Sequence, residues 1–227
     1  MLANPYEEGM KKLLFFLLLS FSFCYSQVNI EKIKTDVTND PKKFYYDNLE
    51  IFKTVPNSLN QEQLNYIYYG NNYVDYGFKR SEFNDVLNEV TRFSNRNISF
   101  KKATEVLEKA KGLYQKNPLD KELLLDLQKL YYIIKDENKG DFHFSQYQLL
   151  LETIKNSGTG KLDISPLVVT NFSDQMAALE TSKVFARGIT FTTKVLPDGS
   201  WLNIYKNGQD LFFVKTTHHK DLYKDDK

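Results

Sequence analysis

The stretch NPLDKELLLDLQKLYYIIKD, residues 117–136, limits the possible folds more than any other part of the chain. Pro118 cannot sit inside a helix, so it ends the helix before it. Asp120 is placed to cap a new one, and Leu123, Leu124, Leu127, Leu130, Tyr131 and Ile134 recur three and four apart as a single apolar stripe. A helix of this kind must bury one side, and neighbours with the same period are available. Phe83, Val86, Leu87, Val90 and Phe93 make one such face, with Ser81 as the expected cap, and Phe100, Ala103, Leu107, Ala110 and Leu113 make the next, behind Ser99. A last helix is expected from about Phe144 through Ile154. KDENKGDFHF, where Asp136-Glu137 and Asp141 flank Gly140, reads as a solvated loop before it. NSGTG then closes the helical part, and upstream, between Asn29 and Phe52, a short helix should reach a turn at Asp40-Pro41.

After Gly160 the period changes. SPLVVT reads as a strand, SDQMAALETSK as a helix, and GITFTTKVLPDGSWLNIYKNGQDLFFVKTTHH as three strands joined at Pro197-Asp198-Gly199 and Asn207-Gly208. The expected fold class is α+β: a helical hairpin region over residues 27–157, then a small antiparallel β-meander with one helix over 158–227, the earlier strand being available to join the sheet. So small a sheet must pack on a helix. Alternation puts Trp201, Asn203 and Tyr205 on one face and Leu202 and Ile204 on the other. If Leu202 and Ile204 pack inward, Trp201 and Tyr205 form an exposed aromatic surface suited to carbohydrate or peptide. If the faces are reversed, Trp201 is core, which a small sheet favours.

The amino terminus carries an address. Lys11 and Lys12 precede the apolar run Leu13–Leu19, and Cys24 and Ser26 supply the small side chains a signal peptidase needs, so cleavage is expected before Gln27. MLANPYEEG precedes this pattern, which points to Met10 as the start. The apolar run is too short to span a bilayer, which takes roughly 20 residues. Lipidation at Cys24 is disfavoured by Phe23, since a lipobox wants a small residue there. Cys24 is the only cysteine, so cleavage would leave no disulfide, thiolate nucleophile or cysteine metal site. About 200 residues would remain, exported to the periplasm or exterior of a Gram-negative bacterium. The net charge of +1 argues against nonspecific nucleic-acid binding, which needs a basic field.

YIYYGNNY, residues 66–73, gathers four tyrosines around Gly70. Tyr66, Tyr69, Gly70 and Tyr73 fall on the W-x2-L-G-x2-Y spacing of tetratricopeptide repeats, as do Leu124, Leu127 and Tyr131, with Gln128 in the glycine position. Ala103, Leu107 and Ala110 follow the A-x3-F-x2-A spacing of the second helix. The region thus resembles a degenerate tetratricopeptide array, interrupted by about 20 extra residues between Tyr66 and Ala103, which a helix over Phe83–Phe93 would hold. The tyrosines then belong mainly to helix packing, with an exposed binding patch as the alternative. The combination of the leader, YYGNNYVDYGF, KNPLDKELLLDLQKLYYIIKD and VLPDGSWLNIYKNGQDLFFVKTTHHKDL resembles a family of secreted Bacteroidetes proteins, domain of unknown function family 4919. That resemblance implies location and lineage and transfers no functional residue.

Signatures of chemistry are weak. His218-His219 would share a metal only if the chain bends, with Asp221 or His143 as a further ligand, and reads better as a strand end. NSGTGK lacks the spacing of a phosphate-binding loop, and no serine sits in a G-x-S-x-G elbow. No cofactor is expected. The best-supported function is therefore a noncatalytic, exported module that binds a peptide or protein of the cell envelope, with Tyr66, Tyr73, Trp201 and Tyr205 as candidate contacts. The alternative is a hydrolase or carbohydrate-processing enzyme with its site between the helical and β regions.

Overall fold

Asn29 begins the first helix by accepting the Lys32 amide on its side chain, leaving Ile33 and Val37 as the buried face of α1, Ile30–Asn39. The computed structural model describes residues 27–75, 77–181 and 189–217. Past the expected break at Asp40-Pro41 the chain turns through a π-helical Lys42–Tyr46 into α2, Asp47–Thr54. Asn60 and Gln63 form a reciprocal capping box for α3, Gln61–Gly70, which runs into a 3-10 turn at Asn71–Tyr73. Gly70 lies where α3 meets α1: a Cβ there would stand 2.9 Å from Val37 Cγ2.

The four helices that follow carry the apolar stripes. They are α4, Arg80–Ser94; α5, Phe100–Lys116; α6, Lys121–Ile133; and α7, Glu137–Lys155. Ser99 and Asp120 cap α5 and α6 as their sequence positions suggest, each accepting an amide three residues on. Ser81 does not cap α4. The helix starts two residues earlier than such a cap would place it, with Lys79 in the cap position and no side-chain cap bond. KDENKGDFHF is not a loop either. Asp136 accepts the Lys139 amide and pairs with its ammonium at 2.6 Å, so α7 begins at Glu137 and carries Gly140 inside it. Capping outweighs the low helix propensity of one glycine.

The sheet has four strands in the order β1-β4-β3-β2: β1, Leu167–Val169; β2, Thr190–Val195; β3, Trp201–Asn207; and β4, Asp210–Thr216. The last three form the expected antiparallel meander, and β1 joins β4 in parallel, Leu167 opposite Val214, which makes the sheet mixed. Helix α8, Asp174–Thr181, crosses between β1 and β2 and packs on β1 and β4, while α7 lies against α3, α6, α8 and β1. Helix α7 is therefore the seam of the molecule. One continuous apolar core runs across it, from Ile33 and Val37 through Leu123, Leu124, Leu127 and Leu150 to Val168 and Val214. None of the helices among the described residues is long and apolar enough to cross a membrane.

Candidate functional site

A cleft of about 360 Å³, within the usual range for small-ligand and peptide sites, opens where two helix starts converge. Its walls come from the end of α3, the start of α4, the α5–α6 junction, Tyr147 of α7, and the segment that leads from β1 into α8. Asp174 is the central group. One carboxylate oxygen is ion-paired with the Lys121 ammonium, and both side chains are largely shut off from solvent, at 5% and 12% exposure. The other oxygen accepts the Tyr68 hydroxyl at 2.5 Å and the Thr170 hydroxyl at 3.4 Å. Asn171 Oδ1 accepts both the Asp174 amide and the Ser173 hydroxyl, closing the turn into α8. Lys121 Nζ also lies 5.5 Å from the centre of the Tyr68 ring. Burial, reinforced by the adjacent Asp174 charge, pushes the Tyr68 phenol well above its usual range, so it stays a donor.

Asp120 stands at the same wall. Its Oδ1 is committed to the Leu123 amide at 2.9 Å, and burial raises its carboxyl above the ordinary aspartate value, with Asp174 and Glu122 adding to the rise and the Leu123 amide and Lys121 opposing it. The Asp174 carboxylate and one oxygen of Asp120 are thus taken up by the fold, whereas Glu122 is exposed at the same wall. Several donors of the cleft are left over. Among the described residues, Asn71 uses its oxygen to accept the Tyr45 hydroxyl and Asn117 uses its oxygen for the Leu119 amide, and both keep an amide NH2 over. Asn84 and Arg80 are exposed at the rim. Phe78 and Phe83, stacked with ring centres 5.1 Å apart, supply an apolar flank.

None of the four aromatic candidates from the sequence lines this cleft. Tyr66 is buried between α3 and α1, donating its hydroxyl to Asp36 at 2.5 Å and accepting from Lys32 at 2.9 Å. Tyr73 is half-buried against the core. Tyr205 is buried, its hydroxyl bonded to Gln175 of α8, and Trp201, on the same face of β3, is half-buried. The face bearing Trp201, Asn203 and Tyr205 is thus the one turned toward α8. Tyr68, Lys121, Asp174 and the asparagines were missed as a group because they sit at helix ends far apart in the chain. The available signal was that GNNY, KNP and TNFSD place asparagine at three such ends.

His143 is buried inside α7. The Gln146 amide nitrogen donates to the Phe52 carbonyl and to the Tyr114 hydroxyl, each at 2.7 Å, which leaves its oxygen to accept from His143 Nδ1 at 2.9 Å. Nδ1 therefore carries a proton, and the ring is stacked on Tyr131 at 5.5 Å. His218 and His219 lie outside the described residues, and among those residues no three His, Cys, Asp or Glu side chains group as a metal site. Burial lowers the His143 pKa below its ordinary 6.5, against the opposing pull of Gln146. A depressed folded pKa means that the unfolded chain takes up the proton first, so stability is held above about pH 6.5 and is lost as the pH falls below it. The urea midpoint should drop between about pH 7.5 and pH 5.5, and His143→Gln should flatten that dependence.

The described chain is an α+β protein in which a helical layer and a small mixed sheet share one core, and helix ends with the segment after β1 border a cleft rich in asparagine. It belongs to the family described as Domain of unknown function (DUF4919), whose model matches residues 31–195. That span holds every residue of the cleft and ends with β2, leaving β3 and β4 beyond it. No curated protein matches the chain, and no solved structure does.

Proposed function

We propose that this protein is an exported, noncatalytic module of the cell envelope, and that its cleft takes an extended segment of a partner protein. The observation that carries this reading concerns hydrogen-bonding groups: Asp174, the innermost carboxylate of the cleft, is engaged by the fold, while the amides of Asn71, Asn84 and Asn117 and the Arg80 guanidinium have donors over. A peptide backbone offers carbonyl oxygens to such donors, and the Phe78–Phe83 flank gives an apolar side chain a place to rest. The leader before Gln27 supports export, and the helical hairpins, similar in spacing to tetratricopeptide repeats, support binding by analogy with other helical arrays.

The test is a photo-crosslinking residue at Asn84 in the exported protein, compared with one at Lys101 on the exposed side of α5. One envelope protein should be captured reproducibly from position 84 and lost when Phe78 is changed to Ala. Equal capture from both positions, or none from position 84, overturns the reading.

A hydrolytic reading has one observation behind it: the Asp120 carboxyl, raised by burial, stands close enough to Asp174 to feel its charge, and a raised carboxyl beside a second one is the usual equipment for acid–base cleavage. Asp174 is tied by Lys121, Tyr68 and Thr170, which makes this the second reading. Turnover of a peptide or glycan substrate, abolished by Asp120→Asn, would establish it in place of the first.

A further inference from the structure

We propose that β2 is a dimerisation edge, and that two copies of the chain pair their β2 strands antiparallel about a two-fold axis at Thr193, joining both sheets into one. The starting observation is exposure. All six residues of β2 are exposed, including Phe191 at 55% and Val195 at 63%, and β2 is the last strand in the sheet order, with no described strand on its outer side.

The direction of its backbone groups follows from the ladder. Leu196 donates its amide to the Ser200 carbonyl at 2.9 Å, in the same register that pairs Val195 with Trp201 and Thr190 with Lys206. Hydrogen-bonded and non-bonded pairs alternate along an antiparallel ladder. Lys194, Thr192 and Thr190 therefore bond to β3, whereas Val195, Thr193 and Phe191 turn their N–H and C=O groups to the open side. The pairing with β3 is unbroken over this length, so neither a bulge nor a proline protects the edge in the way that free edges are commonly protected.

A second copy fits this edge better than an arbitrary strand, because the edge is complementary to itself. A two-fold axis normal to the sheet keeps each face with its like, so residues of one parity must meet residues of the same parity. Centred at Thr193, the register sets the threonine against its own copy and Phe191 against the partner subunit's Val195, in both halves. All of these are residues whose backbone groups point outward, so every pair can close its hydrogen bonds. Phe191 already lies on Tyr205 at 5.6 Å and the Thr193 hydroxyl donates to Asn203 at 2.7 Å, which fixes both side chains on the α8 side of the sheet before any partner arrives. On the other face, Lys194 meets the partner subunit's Thr192, and no like charges oppose each other.

Sedimentation equilibrium of the purified protein over a range of concentrations tests the proposal. The expected result is a reversible dimer. Thr193→Pro deletes an outward N–H without removing a bond to β3 and should give a monomer with unchanged far-UV circular dichroism. Val195→Lys, which removes the apolar pair at a fully tolerant exposed position, should weaken the dimer by about tenfold or more, and it carries the test should the proline variant fold poorly. Lys101→Glu, on the exposed side of α5, should leave the dimer unchanged. A protein that stays monomeric at the highest concentration reached, or a dimer indifferent to Val195→Lys, overturns the proposal. So does a monomer that accepts a foreign strand at this edge without pairing with itself.

Discussion

Lys121→Met should cost about 3–5 kcal/mol of folding stability, the usual consequence of leaving one member of a buried ion pair without the other. Asp174 would remain at 5% exposure with only the Tyr68 and Thr170 hydroxyls to satisfy it, and neutral donors do not replace a cation in a low-dielectric site. Removing the whole network is a milder change than removing half of it. A triple variant with Lys121→Met, Asp174→Leu and Tyr68→Phe leaves no buried charge and takes an acceptor only from the Thr170 hydroxyl, and it should recover most of the loss. Urea unfolding at neutral pH, followed by circular dichroism, measures both. A loss below about 1 kcal/mol for Lys121→Met would place the pair among solvated surface bridges, and the triple variant would then be the less stable of the two.

The same pair links stability to the cleft. Lys121 is the first residue of α6 and Asp174 the first of α8, so their contact pins the two helix starts that form the walls. The expected order of effects is that Lys121→Met widens the cleft and weakens partner capture, whereas Arg80→Ala, at the exposed rim, weakens capture alone.

What could be read from the sequence was whatever repeats at short range. The stripes of α4, α5 and α6, the caps Ser99 and Asp120, and the turns at Asp198-Gly199 and Asn207-Gly208 all lie within a few residues of their own cause, and each recurs in the structure except for Phe100, which stands exposed in the first turn of α5 instead of joining its stripe. Polar residues buried by long-range partners could not be seen in the same way. Asp126, in the middle of the most apolar helix, is 1% exposed because the Thr91 and Ser94 hydroxyls of α4 reach it at 2.5 and 2.6 Å. Gln146 and Asn203 are held in the same manner by groups from other elements. The cleft belongs to this second kind. Its lining is drawn from five separate stretches of chain, and only the packing of α7 and α8 against the helices brings them to one place. The parallel pairing of β1 with β4 was equally hidden, since β1 is three residues long and lies far from β4 in the chain.

Gly158→Ala is expected to be as damaging as the loss of Lys121, and it follows from a contact that looks innocent in sequence. NSGTG reads as a flexible end to the helical region, where glycine serves to stop a helix. In the structure a Cβ at residue 158 would stand 2.1 Å from the Pro166 carbonyl oxygen, 2.8 Å from its carbon and 3.0 Å from the Ser165 oxygen, all of them backbone atoms with no rotamer to yield. These atoms are fixed in turn. The Ser165 carbonyl accepts the amides of Thr159 and Gly160, and the Ser157 hydroxyl accepts the Val168 amide at 2.7 Å while donating to Ile154 at 2.6 Å. The loop is thus the clamp that ties the end of α7 to β1, and relieving the clash means pulling β1 away from α7. Overpacking in a site that can adjust costs roughly 1–3 kcal/mol. Here the cost should lie at or above about 3 kcal/mol, because the opposing atoms are backbone. Thermal unfolding and urea titration of Gly158→Ala measure the loss, and hydrogen exchange at Val168 and Val169 locates it: their amides should lose protection before those of α5 and α6 do. A variant as stable as the parent would mean that the loop moves freely, and α7 and the sheet would then be held together by apolar contact alone.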